Sequence, residues 1–291
     1  MGLFAALGAY ALWGLLPIYF RLLHGVPSTE IVAQRIVWSI ILILALLAVR
    51  RNLGPFTETL RNPRLLFALA GSASLIGINW LIYVWAVNDG HVVAASLGYF
   101  LNPLVNVGIG ILMLKERLRR GQAVAICIAA VGVAIMAGAA LTTLWISVAL
   151  ALSFAFYGLI RKLTPVAPMV GLGVETLILA PLAAAYLLWL TGHGGVSLGK
   201  EFHITALLIA SGAVTTVPLV LFATAARKLP MAALGLLQYV APTLQFLCGV
   251  LLFGERLTQG QMLSFALIWL GLIFFAGDSI AAARRSRLVP A

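Results

Sequence analysis

Residues 97–122 read LGYFLNPLVNVGIGILMLKERLRRGQ, and residues 236–261 read LLQYVAPTLQFLCGVLLFGERLTQGQ. The two align without a gap at a constant offset of 139, and the match runs on to Ala137-Gly138 and Ala276-Gly277. Pro103 falls on Pro242, Gly110 on Gly249, Glu116-Arg117-Leu118 on Glu255-Arg256-Leu257, and Gly132 on Gly271. A biased apolar composition can imitate similarity, but it does not set Pro, Glu-Arg-Leu and Gly-Gln in one register. The chain reads as a duplication. Weaker echoes carry it upstream: Trp13-Gly14 resembles Tyr157-Gly158, and Glu30 answers Glu175, each early in its apolar run.

The sequence around the repeat is apolar throughout. Of the 291 residues, 63% are hydrophobic and 9% charged, against roughly 45–50% and 25% in an ordinary globular chain. The mean hydropathy of +1.09 agrees. No soluble interior holds so much apolar surface, so lipid is the solvent; disulfide scaffolds, disordered tails, cytosolic enzymes and coiled coils are set aside. Cys127 and Cys248 lie inside apolar runs without metal-ligand spacing and are expected to be free, buried thiols.

A transmembrane helix needs about 20 largely apolar residues. Ten runs qualify: 2–22, 29–49, 65–88, 92–114, 121–141, 144–161, 170–190, 204–226, 231–253 and 260–280. The first lacks a basic leader and a cleavage site, so it is read as a mature span. The expected fold class is therefore an all-α membrane protein of ten transmembrane helices. Residues 1–141 form the first five-helix repeat, 144–280 the second, and 281–291 a tail. Five is odd, so the halves enter the membrane from opposite sides. Such a 5+5 inverted-topology repeat is the usual build of secondary transporters, with the substrate near the midplane between halves.

Charge placement sets the orientation. The net charge is +11, and 15 of the 19 Lys and Arg fall in the loops after runs 2, 4, 6 and 8 or in the tail. Arg21, Lys200 and Arg256 lie on the other side, and Arg35 within run 2. The positive-inside rule then puts both termini in the cytoplasm. Spread as short loop anchors, these residues leave no nucleic-acid footprint.

Several stretches together carry a family resemblance over nearly the whole chain. AYALWGLLPIYFRLL (9–23), EIVAQRIVWS (30–39), NWLIYVWAVN (79–88), SLGYFLNPLVNVGIGILMLKERL (96–118), SFAFYGLIRK (153–162) and GLGVETL (171–177) resemble the RarD-type permeases of the EamA branch of the drug/metabolite transporter superfamily. The resemblance implies a ten-helix carrier of the bacterial inner membrane, associated mostly with export of small metabolites or drugs. Gln34 stands where related sequences often carry His before the Arg, which speaks against a titrating imidazole there.

Ionisable groups inside spans are functional candidates, because burying one alone costs several kcal/mol. Arg35 can offer a bidentate guanidinium to a substrate carboxylate; the structural alternative is a partner on another helix. Glu30 and Glu175 sit near the starts of their runs and are expected to be partly interfacial, with protons as a candidate coupling ion through either. Asn79, Trp80 and Tyr83 place amide and aromatic groups in the middle of run 3, the lining a small-molecule site requires. Tyr99, Asn102 and Asn106 surround Pro103, and Gln238 and Gln245 surround Pro242. The two prolines are candidate hinges. Trp13 and its mate Tyr157 complete the expected cavity, with interhelical hydrogen bonding as the bland alternative. Ala130, Ala134 and Gly138 form a small-residue row expected to pack within the bundle.

The expected function is a secondary transporter, an exporter of small organic solutes by alternating access, with no cofactor and no metal, P-loop or haem motif. Two rivals remain. Gly195-Val196-Ser197-Leu198-Gly199, with His193 and His203 nearby, fits the hydrolase pattern G-x-S-x-G but lacks the preceding strand. A channel or scaffold is the other.

Overall fold

The computed structural model describes residues 2–23, 25–88, 92–115, 117–138, 144–193, 195–252 and 259–288. Among them there is no strand. Helices α1 (Gly2–Gly14), α2 (Leu16–Leu22), α3 (Ser28–Val49), α4 (Leu53–Arg61), α5 (Pro63–Asn88), α6 (Val92–Leu112) and α7 (Arg120–Gly138) make the first part. The second comprises α8 (Leu144–Leu163), α9 (Pro168–Gly192), α10 (Phe202–Lys228), α11 (Met231–Leu237), α12 (Val240–Leu247), a π-helical turn (Cys248–Leu252) and α13 (Gln259–Leu288). Among the described residues, six helical stretches are long and apolar enough to cross a membrane, and 98–112, 120–135 and 262–275 are shorter apolar helices. Phe4, Phe67, Leu182, Leu188 and Phe202 all point outward. That apolar exterior suits a bilayer and would aggregate in water.

Proline explains where helices break. The first run parts at Leu15, and Pro17 takes the second position of α2, where its missing N–H costs nothing. The ninth run parts at Gln238–Tyr239, so Pro242 lies in the first turn of α12. Its mate Pro103 sits inside an unbroken α6. The aligned prolines thus stand differently relative to a helix break, Pro103 within a continuous helix and Pro242 in the first turn after one.

The principal helix pairings are α3 with α9 and α10, α1 with α10 and α12, α5 with α8 and α9, α6 with α8 and α11, and α7 with α13. Moving each helix to its counterpart five runs away maps this set onto itself. The pairs α3–α9, α6–α11 and α7–α13 are their own images. In the last, a Cβ on Gly132 would meet the Ser264 carbonyl oxygen at 2.9 Å, and one on Gly271 the Ala125 carbonyl oxygen at 2.7 Å. Gly132 and Gly271 are repeat mates, as are Ala125 and Ser264, so this contact is reciprocal. It runs through Ala125, Ala129, Gly132 and Val133; of the expected row, Ala134 is exposed. Cys127 is exposed on α7 rather than buried, because that helix is covered mainly by α13; Cys248 is buried as expected.

Chain direction defines two ends of the bundle. Helix α3 leads from Ser28 to Arg50, α9 from Pro168 to Gly192, and α10 from Phe202 to Lys228. Arg50, Arg161, Lys162, Arg227 and Lys228 therefore share a basic end, opposite the loops 23–28 and 193–201.

Candidate functional site

Helix α3 sets the depth of the site. Glu30 lies in its first turn, Arg35 roughly 7–8 Å further along at 1.5 Å per residue, and Ser39 beyond it. Around Arg35 lies a cavity of about 800 Å³ that reaches Leu23, Gly25, Val26 and Ser28 at the loop end. Trp13, Phe20, Arg35, Asn79, Trp80, Tyr83, Tyr99, Asn102, Gln238, Pro242 and Gln245 line it, with Tyr10 and Phe154. The cavity thus gathers seven apolar runs, and most of the polar and aromatic candidates face it.

The guanidinium of Arg35 sits over the rings of Trp80 and Phe20, at 5.3 Å and 5.8 Å from their centroids. Its Nε donates to Thr215 Oγ1 at 2.7 Å. No carboxylate among the described residues lies within ion-pair distance of it. An aromatic face attracts a cation without consuming its N–H donors, so the outer edge of the guanidinium stays available to an anion. Asn102, also lining the cavity, is buried with its Oδ1 lacking a hydrogen-bond partner among the described residues. Tyr83 and Tyr99 meet edge to face at 5.6 Å. The site thus offers one cation, aromatic walls and an unused acceptor.

Other groups are fixed by neighbours. Asn79 Nδ2 donates to the Leu150 carbonyl and to Ser153 Oγ, each at 2.9 Å, holding α5 against α8. Gln245 Nε2 donates to the Trp13 carbonyl at 3.2 Å. Asn106, expected in the cavity, lies outside its lining and donates to Gln238 Oε1 at 2.8 Å. That bond joins α6 to the α11–α12 break, so Asn106 acts by holding a residue that does reach the cavity. Pro103 is likewise absent from the lining; its carbonyl stands 2.6 Å from where a Cβ on Gly235 would sit.

Tyr157 is buried outside the cavity, stacked on Phe222 at 5.9 Å. With Tyr10, Trp13 and Phe154 these rings form an aromatic plug between the cavity and the basic end, with neighbouring centroids 5.1–6.3 Å apart. Beside it is a pocket of about 10 Å³, lined in part by Ser39, Trp80, Tyr157, Glu175, Thr176, Thr215 and Thr216.

The two span carboxylates are both buried within the protein, and neither lines the large cavity. Glu30 is 0% exposed and Glu175 1%. Glu30 accepts bonds from the Ser197 backbone N–H at 2.6 Å and from Ser197 Oγ at 2.9 Å, because the 195–199 loop folds over the start of α3. Glu175 accepts a bond from Ser72 Oγ and pairs with Arg161 Nε at 3.6 Å. Arg161 reads in the sequence as a loop anchor, yet it is 1% exposed at the end of α8, its Nη2 donating to the Pro168 carbonyl at 2.9 Å. Gly171 makes the room: a Cβ there would overlap the guanidinium and lie 2.8 Å from its Cζ. The i, i+4 spacings Tyr157–Arg161 and Gly171–Glu175 were the available signal. Ser197 is bonded to Glu30, while His193 contacts the Trp189 carbonyl and His203 pairs with Glu201. Ser197 and the histidines are thus not arranged as nucleophile and base.

Residues 1–138 match the model of the EamA-like transporter family. An uncharacterized transporter of Pseudomonas aeruginosa is 48% identical over 287 residues, covering 98% of this chain and 96% of its own length. Protein RarD of Escherichia coli (strain K12) is 42% identical over 293 residues, covering 98% and 97%. The Chloramphenicol-sensitive protein RarD of Pseudomonas aeruginosa is 32% identical over 288 residues, covering 98% and 96%. A protein of known crystal structure shares the fold at a TM-score of 0.74 and 19% identity, over 94% of this chain and 96% of that one. The family model and these relatives make this multi-pass helical membrane protein a transporter by class. The chain belongs to the EamA-like transporter family, among its RarD-type permeases.

Proposed function

We propose that the chain is an inner-membrane secondary transporter that exports small organic anions by alternating access, its two five-helix halves inserted in opposite senses and both termini in the cytoplasm. The observation that carries this reading is Arg35, a guanidinium without a carboxylate partner among the described residues, set between Trp80 and Phe20 in an 800 Å³ cavity. Cavities of roughly 300–1,000 Å³ hold drug-sized ligands, and a guanidinium fork matches a carboxylate.

Three features support the duplication and the cycle. The family model matches a single half, residues 1–138. The helix pairings map onto themselves when halves are exchanged. The mated prolines sit in a continuous helix on one side and just after a break on the other, as expected when two equivalent halves hold opposite conformations. The cavity reaches the loop end, and the aromatic plug closes the basic end.

Saturable counterflow of a labelled solute in proteoliposomes tests the carrier; linear, unsaturable flux would mark a channel. Probes chosen by thermal shift should include carboxylates with aromatic bodies. Amphenicols belong beside them, since one relative is named for chloramphenicol sensitivity.

A further inference from the structure

The Arg161–Glu175 pair lies outside the cavity, and substrate binding makes no use of it. Both residues are 1% exposed. The pair is under-bonded: Glu175 Oε2 and Arg161 Nε and Nη1 have no hydrogen-bond partner among the described residues. A buried ion pair contributes little net stability compared with apolar packing, and each buried polar atom left unbonded is a cost. Stability does not explain this arrangement.

Its position does. The pair joins α8 to α9 near the basic end, while Ser72 ties α5 to the same carboxylate. The pocket of about 10 Å³ on the cavity side of Glu175 is large enough for roughly one water. It shares Ile76, Trp80 and Leu219 with the large cavity, and it touches Thr215, which holds Arg35. Hydroxyls of Thr215, Thr216 and Ser39 line the way between. From α8, Arg161 and Tyr157 face the Glu175 region; from α5, Ser72; from α3 and α10, those hydroxyls. The ionisable groups of α4, Glu58 and Arg61, are exposed.

We propose that Glu175 is the proton-binding site of this transporter and that its pair with Arg161 is a latch holding the basic end closed. This rests on the carrier reading above. A proton from water adds to a lone pair of the carboxylate, with Oε2 the oxygen that lacks a donor, and gives a neutral acid. Arg161 then lies buried without a counter-charge, which a low-dielectric interior disfavours strongly. The α8–α9 junction parts or admits water, and access shifts toward the basic end.

The test needs no transported solute. In a Cys127→Ser, Cys248→Ser background, Ser39→Cys reports access to the small pocket. Measured relative to a freely exposed cysteine at the same pH, which corrects for the thiolate fraction that maleimide attacks, labelling by a membrane-impermeant maleimide from the basic end should be slow at alkaline pH and at least tenfold faster at acid pH. On the same relative scale, Glu175→Gln should react fast at every pH. Ser72→Ala removes a donor to the ionised carboxylate, so the midpoint should move to higher pH. An infrared band of a protonated carboxyl should follow the same midpoint and vanish in Glu175→Gln. A pH profile unchanged by Ser72→Ala in a folded protein overturns the proposal, as does a carboxyl band that persists in Glu175→Gln. If Glu175→Gln does not fold, the Ser72→Ala shift decides. A latch that titrates in a protein without counterflow upholds the proton site and sinks the carrier reading instead.

Discussion

Arg35 and Thr215 are joined by a 2.7 Å hydrogen bond from the guanidinium Nε to the hydroxyl, tying α3 to α10 within the membrane. The bond fixes one edge of the guanidinium and turns the other toward the cavity. That division lets a single residue serve both the fold and the ligand.

It follows that Arg35→Lys should keep the charge and lose the fork. A charge-assisted hydrogen bond contributes roughly 1.5–3 kcal/mol, so carboxylate binding should weaken about ten- to a hundredfold while the protein still folds. Isothermal titration with a carboxylate hit, beside melting curves, separates the effects. Normal uptake by a well-folded Arg35→Ala protein would end the recognition role.

Gly171→Ala would ordinarily help a helix by roughly 0.5–1 kcal/mol. Here the new methyl overlaps the Arg161 guanidinium, and breaking a buried pair costs about 3–5 kcal/mol. A clear drop in melting temperature is expected, with a smaller drop when Arg161→Met is combined with Glu175→Met. An unchanged melting temperature for Gly171→Ala would show that the guanidinium moves aside freely.

Orientation follows from the loop charges. A reporter fused after Arg287 should be active in the cytoplasm, and a tag inserted in loop 193–201 should be reached from outside the cell. Opposite labelling reverses both the orientation and the direction assigned to the cavity.

Ser197→Ala deletes the 2.9 Å hydroxyl bond to Glu30 but keeps the 2.6 Å backbone bond. A net loss of about 1 kcal/mol is expected, with transport retained. Abolished function in a stable Ser197→Ala protein would revive the hydrolase.

Much of the fold was legible because lipid imposes a simple rule: backbone groups must pair within a helix, so long apolar runs name the helices. Register-locked prolines and glycines carry the reading of a repeat. The cavity was legible where amides and aromatics sat at helical spacing in mid-run, as with Asn79, Trp80 and Tyr83. Arg161 was not legible, because a basic residue next to Lys162 at a run's end reads as a loop anchor until α9 is seen to cover it. The cover over Glu30 was not legible for the same reason: only the fold brings the 195–199 loop over it. Asn106 and its mate Gln245 differ for a subtler cause. Aligned places have different neighbours: Asn106 meets Gln238, whereas Gln245 meets the Trp13 carbonyl.

The reciprocal contact of Gly132 with Ser264 and Gly271 with Ala125 has a kinematic consequence. Exchanging the conformations of the two halves turns the α3–α10 interface into the α5–α9 one, and the α1–α12 interface into the α6–α8 one. The α7–α13 seam turns into itself. In the proposed cycle it therefore has no second arrangement to visit, while the interfaces that are not their own images trade places around it. A covalent clasp across that seam should leave turnover intact, whereas one between α3 and α10 should arrest it.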